Sequence, residues 1–190
     1  HGGITKMMNQ LSDKSKVNAF NLAAEMKVKM KPLFEKHMQE IITGKFSSEM
    51  MEDWKCVIDE FVSHDSIDQE NLGFWGLSMG TMFGIPFIAS DARIKSAVLG
   101  KSGLTGSSSQ RSGVRPYFEE FAPKIHQPIL FSMQWDDERF DREGQLELFD
   151  LIGSSDKRLH AYPGRHIDSG PEALHVQAEF LKRYLANSNH

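Results

Sequence analysis

The chain has 190 residues, 39% of them hydrophobic and 25% charged, a balance ordinary for one soluble globular domain with a sizeable core. Its net charge of −4 argues against a dedicated nucleic-acid binder, and no apolar run approaches the roughly 18 residues of a membrane span. The single cysteine, Cys56, excludes an internal disulfide and fits a reducing cytoplasm.

Residues before about Asn71 read as helical. Lys27, Lys29 and Lys31 alternate with Val28 and Met30 and read as solvated surface. Pro32 opens a candidate helix with Phe34, Met38, Ile41 and Ile42 on its apolar side and Gly44 at its end. Ser47-Ser48-Glu49 looks like a second helix start. Trp54, Ile58, Phe61 and Val62 then recur at helical spacing and predict one buried face. Cys56 lies in this helix and reads as a small buried hydrophobe. His64 falls in a helix-to-strand connection.

Asn71-Leu72-Gly73-Phe74-Trp75 is a short apolar run that reads as a buried strand, and Thr81 to Ala89 reads as a helix. Between them stands Gly76-Leu77-Ser78-Met79-Gly80, a G-x-S-x-G pentapeptide. A sharp strand-to-helix turn of this kind lifts a serine hydroxyl above the sheet edge in a strained conformation. Its two glycines are expected to leave room where Cβ atoms would collide. The Met79 amide opens the helix, where the backbone dipole favours a developing oxyanion. Ile94 to Gly100 reads as the next strand. The polar, glycine-rich stretch from Gly103 to Pro116 reads as a mobile loop, either a cap over a site or a plain surface connection. Pro128 to Met133 and Lys157 to Tyr162 complete four strands, around Phe74, Val98, Leu130 and Leu159. From Pro171, Leu174, Ala178, Leu181 and Leu185 predict a closing amphipathic helix. Strands alternating with helices imply an α/β fold with a mostly parallel sheet. It forms one domain over 1–190, helical over about 1–68, with elbow to closing helix over about 71–187.

Two further residues follow strand ends in the order a serine nucleophile requires. Asp137 comes just after the strand at Leu130, where catalytic groups collect in open α/β sheets. His166 lies in the loop after the strand at Leu159. In this arrangement His166 takes the Ser78 proton and Asp137 fixes its tautomer. Each also has a plainer reading. Asp136 and Asp137 can simply form a turn that caps a helix. His166 is one of eight histidines and can be a surface residue. His160 sits within a strand and reads as packed or sheet-facing.

The chain resembles the carboxyl-terminal part of an α/β-hydrolase, near the dienelactone-hydrolase-like and small carboxylesterase branch. The residues that carry this are Leu72 to Thr81, Ile94 to Gly100, Gln134-Trp135-Asp136-Asp137 with Phe140, and Pro163-Gly164-Arg165-His166. The likeness covers roughly Trp54 to Leu185. Laid on the family's G-x-x-D turn, Gln134 replaces the glycine, Asp137 takes the acid place and Phe140 fills an apolar position. Where dienelactone hydrolases often use cysteine this chain has Ser78, so the resemblance implies esterase-type chemistry. It also implies a larger sheet, whose amino-terminal strands are not evident here. His1-Gly2-Gly3 is similar to the oxyanion loop of lipases, to a turn that often precedes the elbow, and to the remnant of a tag.

Two functional expectations result. One is a serine hydrolase that cleaves a small ester or related acyl compound through an acyl-enzyme. Its catalytic residues are Ser78, Asp137 and His166, with Met79 in the oxyanion hole and Trp75, Trp135 and Phe140 near a substrate pocket. The other is a weak or inactive hydrolase-like module, or a fragment, that assembles with a second copy or with a missing amino-terminal half. The ten methionines would suit an adaptable contact surface. No H-E-x-x-H, Cys-x-x-Cys or phosphate-binding glycine motif occurs, so no metal, organic cofactor, nucleic-acid or membrane partner is expected.

Overall fold

The computed structural model describes residues 45–63 and 67–185, together with Ser12, Lys14, Asn21 and Val28. The expectations for His1-Gly2-Gly3, the helix at Pro32, the lysines at 27, 29 and 31, and His64 lie outside the described residues. The chain divides into two units, His1–Met50 and Met51–His190, where the sequence reads as one domain.

Four parallel strands form one sheet whose spatial order is their chain order: β1 (Leu72–Trp75), β2 (Ile94–Gly100), β3 (Ile129–Gln134) and β4 (Lys157–Tyr162). β2 and β3 are buried almost along their whole length, as central parallel strands covered on both faces are, whereas the outer strands β1 and β4 are only partly covered. The period-2 alternation decides which helix each residue meets. Ala97, Leu99, Ile129, Phe131 and Met133 turn to one face and join Ile85, Ile88, Phe118 and Leu148 in the larger core. Val98 and Leu130 turn to the other face and meet Phe180. Phe118 and Phe131 are fully buried, each worth about 1.5–3 kcal/mol of hydrophobic stabilisation.

The connections are helical. Helix α1 (Lys45–Val62) precedes the sheet, and α2 (Met79–Ser90) joins β1 to β2. Between β2 and β3 lie α3 (Ser107–Ser112), α4 (Arg115–Phe121) and a 3-10 turn (Ala122–Lys124). Helix α5 (Arg142–Leu151) joins β3 to β4, and α6 (Pro171–Leu185) closes the fold. Layers of helix, sheet and helix result.

Four readings of the sequence need correction. The stretch from Gly103 to Pro116 is not one loop: it holds α3 and the start of α4, with short non-helical segments at 103–106 and 113–114. Its serines and glycines form local bonds: the Ser109 hydroxyl lies 2.6 Å from the Gly103 carbonyl oxygen, and Gly106 adopts φ 116° before the helix. In α1 the apolar face is only partly covered. Ile58 packs on the core, but Trp54 and Phe61 remain 44% and 53% exposed. Cys56 is exposed, because its neighbours one turn away on the helix are the exposed Glu52, Asp53 and Glu60. In α6 the buried residues are Ala173, Gln177 and Phe180, whereas Leu174 and Ala178 face outward. Gln177 misleads a hydropathy count because it is polar yet buried. Its amide accepts from Trp75 Nε1 at 3.1 Å and donates to Ser132 Oγ at 3.0 Å.

Candidate active site

The turn after β1 is held open in an unusual conformation. Ser78 has φ 57° and ψ −114°, a left-handed region that costs a side-chain-bearing residue about 1–3 kcal/mol. Gly76 makes the turn sterically possible, since a Cβ there would meet Phe74 Cε1 at 2.5 Å and the Gly80 carbonyl oxygen at 2.7 Å. Gly80 does not share that role: a Cβ at Gly80 would enter open space. The expectation that both glycines relieve a collision holds for the first alone.

Hydrogen bonds to β2 compensate for the strain. The Ser78 N–H donates to the Gly100 carbonyl at 2.9 Å. Thr81, fully buried one turn into α2, reinforces the junction. Its hydroxyl accepts from the Gly100 N–H at 2.8 Å and lies 2.7 and 2.9 Å from the carbonyl oxygens of Gly100 and Gly76. Met79 is the first residue of α2, so its N–H has no acceptor within the helix and forms part of the positive end of the helix dipole.

The three polar residues read from the sequence meet here. His166 Nε2 lies 2.8 Å from Ser78 Oγ, and His166 Nδ1 lies 2.8 Å from Asp137 Oδ2. With the proton on Nδ1, the ring donates to Asp137 and accepts from the serine hydroxyl. The Asp137 carboxylate is completely buried. Its other oxygen accepts the N–H groups of Arg139 at 2.8 Å and Phe140 at 3.1 Å. Asp136 turns away, 3.7 Å from Arg142.

The loop that carries His166 is anchored from several directions. Glu138 Oε2 accepts the His166 N–H at 3.0 Å, and that bond pushes the Glu138 carboxyl below its ordinary value. Gln134, which stands in the family's glycine place, is buried and its side-chain amide donates to the Asp168 carbonyl oxygen. Lys101 Nζ donates to the His166 carbonyl at 2.7 Å and lies 2.5 Å from Ser169 Oγ. Burial pushes the Lys101 ammonium below its ordinary value, and Asp137 and Asp168 pull it back. Sequence reasoning missed Thr81, Gln134 and Lys101 as site residues. The one local hint was that a glutamine stands where the family pattern has glycine.

The three aromatics expected near a substrate pocket take different places. Phe140 is buried, with its ring 5.6 Å from that of His166, so it packs behind the histidine and does not line an open pocket. Trp75 is held by Gln177 on the α6 face. Trp135 lies beneath the Arg142 guanidinium, 4.0 Å from its ring centre. The chain neighbours of Ser78 and His166, Met79 and Ile167, carry exposed apolar side chains, 64% and 76% exposed. A separate cavity of about 480 Å³, lined by Arg158, His160 and His175 among others, contains none of the Ser78 cluster. Among the described residues, no group of histidine, cysteine or carboxylate side chains could hold a metal ion, and no helix is long and apolar enough to cross a membrane.

No family model matches the chain. Among solved structures, the fold superposes on a cold-adapted esterase from an Arctic intertidal metagenomic library with a TM-score of 0.65 and 33% identity, covering 73% of this chain and 56% of that one. It also superposes on the α/β-hydrolase GrgF from Penicillium sp. with a TM-score of 0.59, covering 74% of this chain and 73% of that one. Identity there is 16%, a likeness of fold alone. A different likeness appears in sequence. Over 54 residues, 28% of this chain, it is 59% identical to the NADP(+) ketol-acid reductoisomerase of Christiangramia forsetii. The chain thus spans just over half of the esterase and 11% of the reductoisomerase.

Proposed function

We propose that the chain, whose fold is that of the α/β-hydrolases, is a serine hydrolase cleaving a small ester or a related acyl compound. The observation that carries this reading is the continuous hydrogen-bonded path from Ser78 Oγ through His166 to the buried Asp137, with both links at 2.8 Å. Nearness to an esterase at 33% identity supports it, as does the placement of all three groups beyond the carboxyl ends of parallel strands. The likeness to reductoisomerases covers too little of those enzymes to carry any of their activity here.

In this mechanism Ser78 Oγ attacks the acyl carbon as His166 Nε2 takes its proton. The carbonyl π electrons move to oxygen, and the Met79 N–H binds the resulting oxyanion. As the carbon–oxygen bond to the alcohol breaks, the imidazolium returns its proton to the leaving oxygen. Water then repeats the sequence on the acyl-enzyme, releasing the acid and free Ser78. Asp137 keeps the imidazole in the tautomer with Nδ1 protonated and stabilises its charged form.

The test is hydrolysis of p-nitrophenyl acetate by the full chain and two variants. Ser78→Ala and His166→Ala should each lower turnover by about 10⁴-fold or more in protein that urea denaturation shows to be folded. Turnover in either variant within tenfold of wild type would contradict the reading.

A further inference from the structure

We infer that Lys101 is a positioning residue, whose buried ammonium fixes the His166 backbone relative to the Ser78 turn. This rests on the catalytic reading of Ser78, His166 and Asp137.

The position of Lys101 is costly in two ways. It is 5% exposed, although an ammonium group loses its hydration on burial. Its backbone also adopts φ 48°, a left-handed conformation that only Ser78 shares among the described non-glycine residues. Plain packing would be better served by an apolar side chain, since burying a charge rarely adds net stability. The same two costs together at one residue favour a site requirement over a packing one.

What the position provides is a direct link between the nucleophile and the base. Gly100 accepts the Ser78 N–H at 2.9 Å, and Lys101 is the next residue. The Lys101 N–H donates to the Ser132 carbonyl at 2.9 Å, which ties the residue to β3. Its Nζ then reaches 2.7 Å to the His166 carbonyl oxygen and 2.5 Å to Ser169 Oγ. Three other contacts hold His166: Glu138 at its N–H, Asp137 at Nδ1, and Phe140 beside the ring. Each of these comes from the segment after β3. Lys101 is the contact that refers His166 to β2, the strand that also holds Ser78. Without it the His166 loop loses its direct side-chain link to the strand end that holds Ser78, and the Ser78–His166 distance rests on the β3 segment and on the loop's own attachments to β4 and α6.

The test uses the full chain with Lys101→Met, read by kcat and KM on p-nitrophenyl acetate and by urea denaturation. Loss of positioning should lower kcat by about 10–100-fold and leave KM within about twofold, because outer contacts act on geometry and not on substrate binding. Lys101→Arg, which keeps charge and donors, should recover most of kcat. Should Lys101→Met fail to fold, Lys101→Gln is read in the same way. Fluorophosphonate labelling of wild type separates the two levels of inference. If wild type takes up no label, the catalytic reading fails and the role of Lys101 falls with it. If wild type labels and the folded Lys101 variant keeps wild-type kcat, only the role of Lys101 is overturned. A rise in KM as large as the fall in kcat would make Lys101 a substrate-binding residue and also overturn positioning.

Discussion

Thr81→Val removes one hydroxyl from the junction of the Ser78 turn with β2 while nearly preserving side-chain shape. The hydroxyl is fully buried and accepts the Gly100 N–H at 2.8 Å. It has one proton to give, shared between the carbonyls of Gly100 at 2.7 Å and Gly76 at 2.9 Å. Valine leaves the buried Gly100 N–H unpaired, a cost of about 1–3 kcal/mol, and loses a donated bond worth about 0.5–1.5 kcal/mol. The expected destabilisation is about 2–4 kcal/mol, or a fall of about 1–2 M in the urea midpoint. Tryptophan fluorescence is a suitable probe, because Trp54, Trp75 and Trp135, the chain's three tryptophans, all lie in Met51–His190. Thr81→Ser keeps the hydroxyl and loses a methyl, so it should cost only about 1 kcal/mol. A valine variant within about 0.5 kcal/mol of wild type would refute the reasoning. So would a serine variant as unstable as the valine one.

Other expectations follow from the same geometry. Gly76→Ala should cost at least about 1–3 kcal/mol because its Cβ meets backbone, whereas Gly80→Ala should be neutral or stabilising by up to about 1 kcal/mol. The reverse order in urea denaturation would contradict the assigned roles. Asp91 is buried, accepts Arg93 Nε at 2.9 Å, and is held below its ordinary value of 3.8 chiefly by that side chain. A depressed carboxyl contributes stability that is present above its unfolded value and lost as pH falls through the folded one. Asp91→Asn should therefore cost about 1–3 kcal/mol at pH 7, and the gap should shrink as pH drops below 3.8. A gap that stays constant down to strongly acid pH would count against the Arg93 pairing.

Much of the sheet could be read from local sequence, because β1 and β3 are compact apolar runs and β4 alternates polar and apolar residues. Phe74, Val98, Leu130 and Leu159 all fall within the strands expected of them. The elbow was legible because G-x-S-x-G has a strand before it and a helix after it. The choice of Asp137 over Asp136 comes from laying the family's G-x-x-D turn on the chain, with Gln134 in the glycine place and Phe140, which packs against the His166 ring, in an apolar position. What sequence hid depends on contacts distant along the chain. Gln177 is buried only because Trp75 and Ser132 supply its partners. Gly103 to Pro116 has the composition of a loop, yet Leu104 within it is buried just before α3, and Phe118 just beyond it is buried in α4. Lys101 looks like any surface lysine until the fold brings the His166 carbonyl to it.

The most direct test of the central claim is fluorophosphonate labelling followed by peptide mapping of the full chain. A single adduct on Ser78, formed by wild type and lost in His166→Ala, is the predicted result, because the serine is nucleophilic only when an adjacent base takes its proton. A folded wild-type protein that takes up no label, or labels equally well without His166, would contradict it.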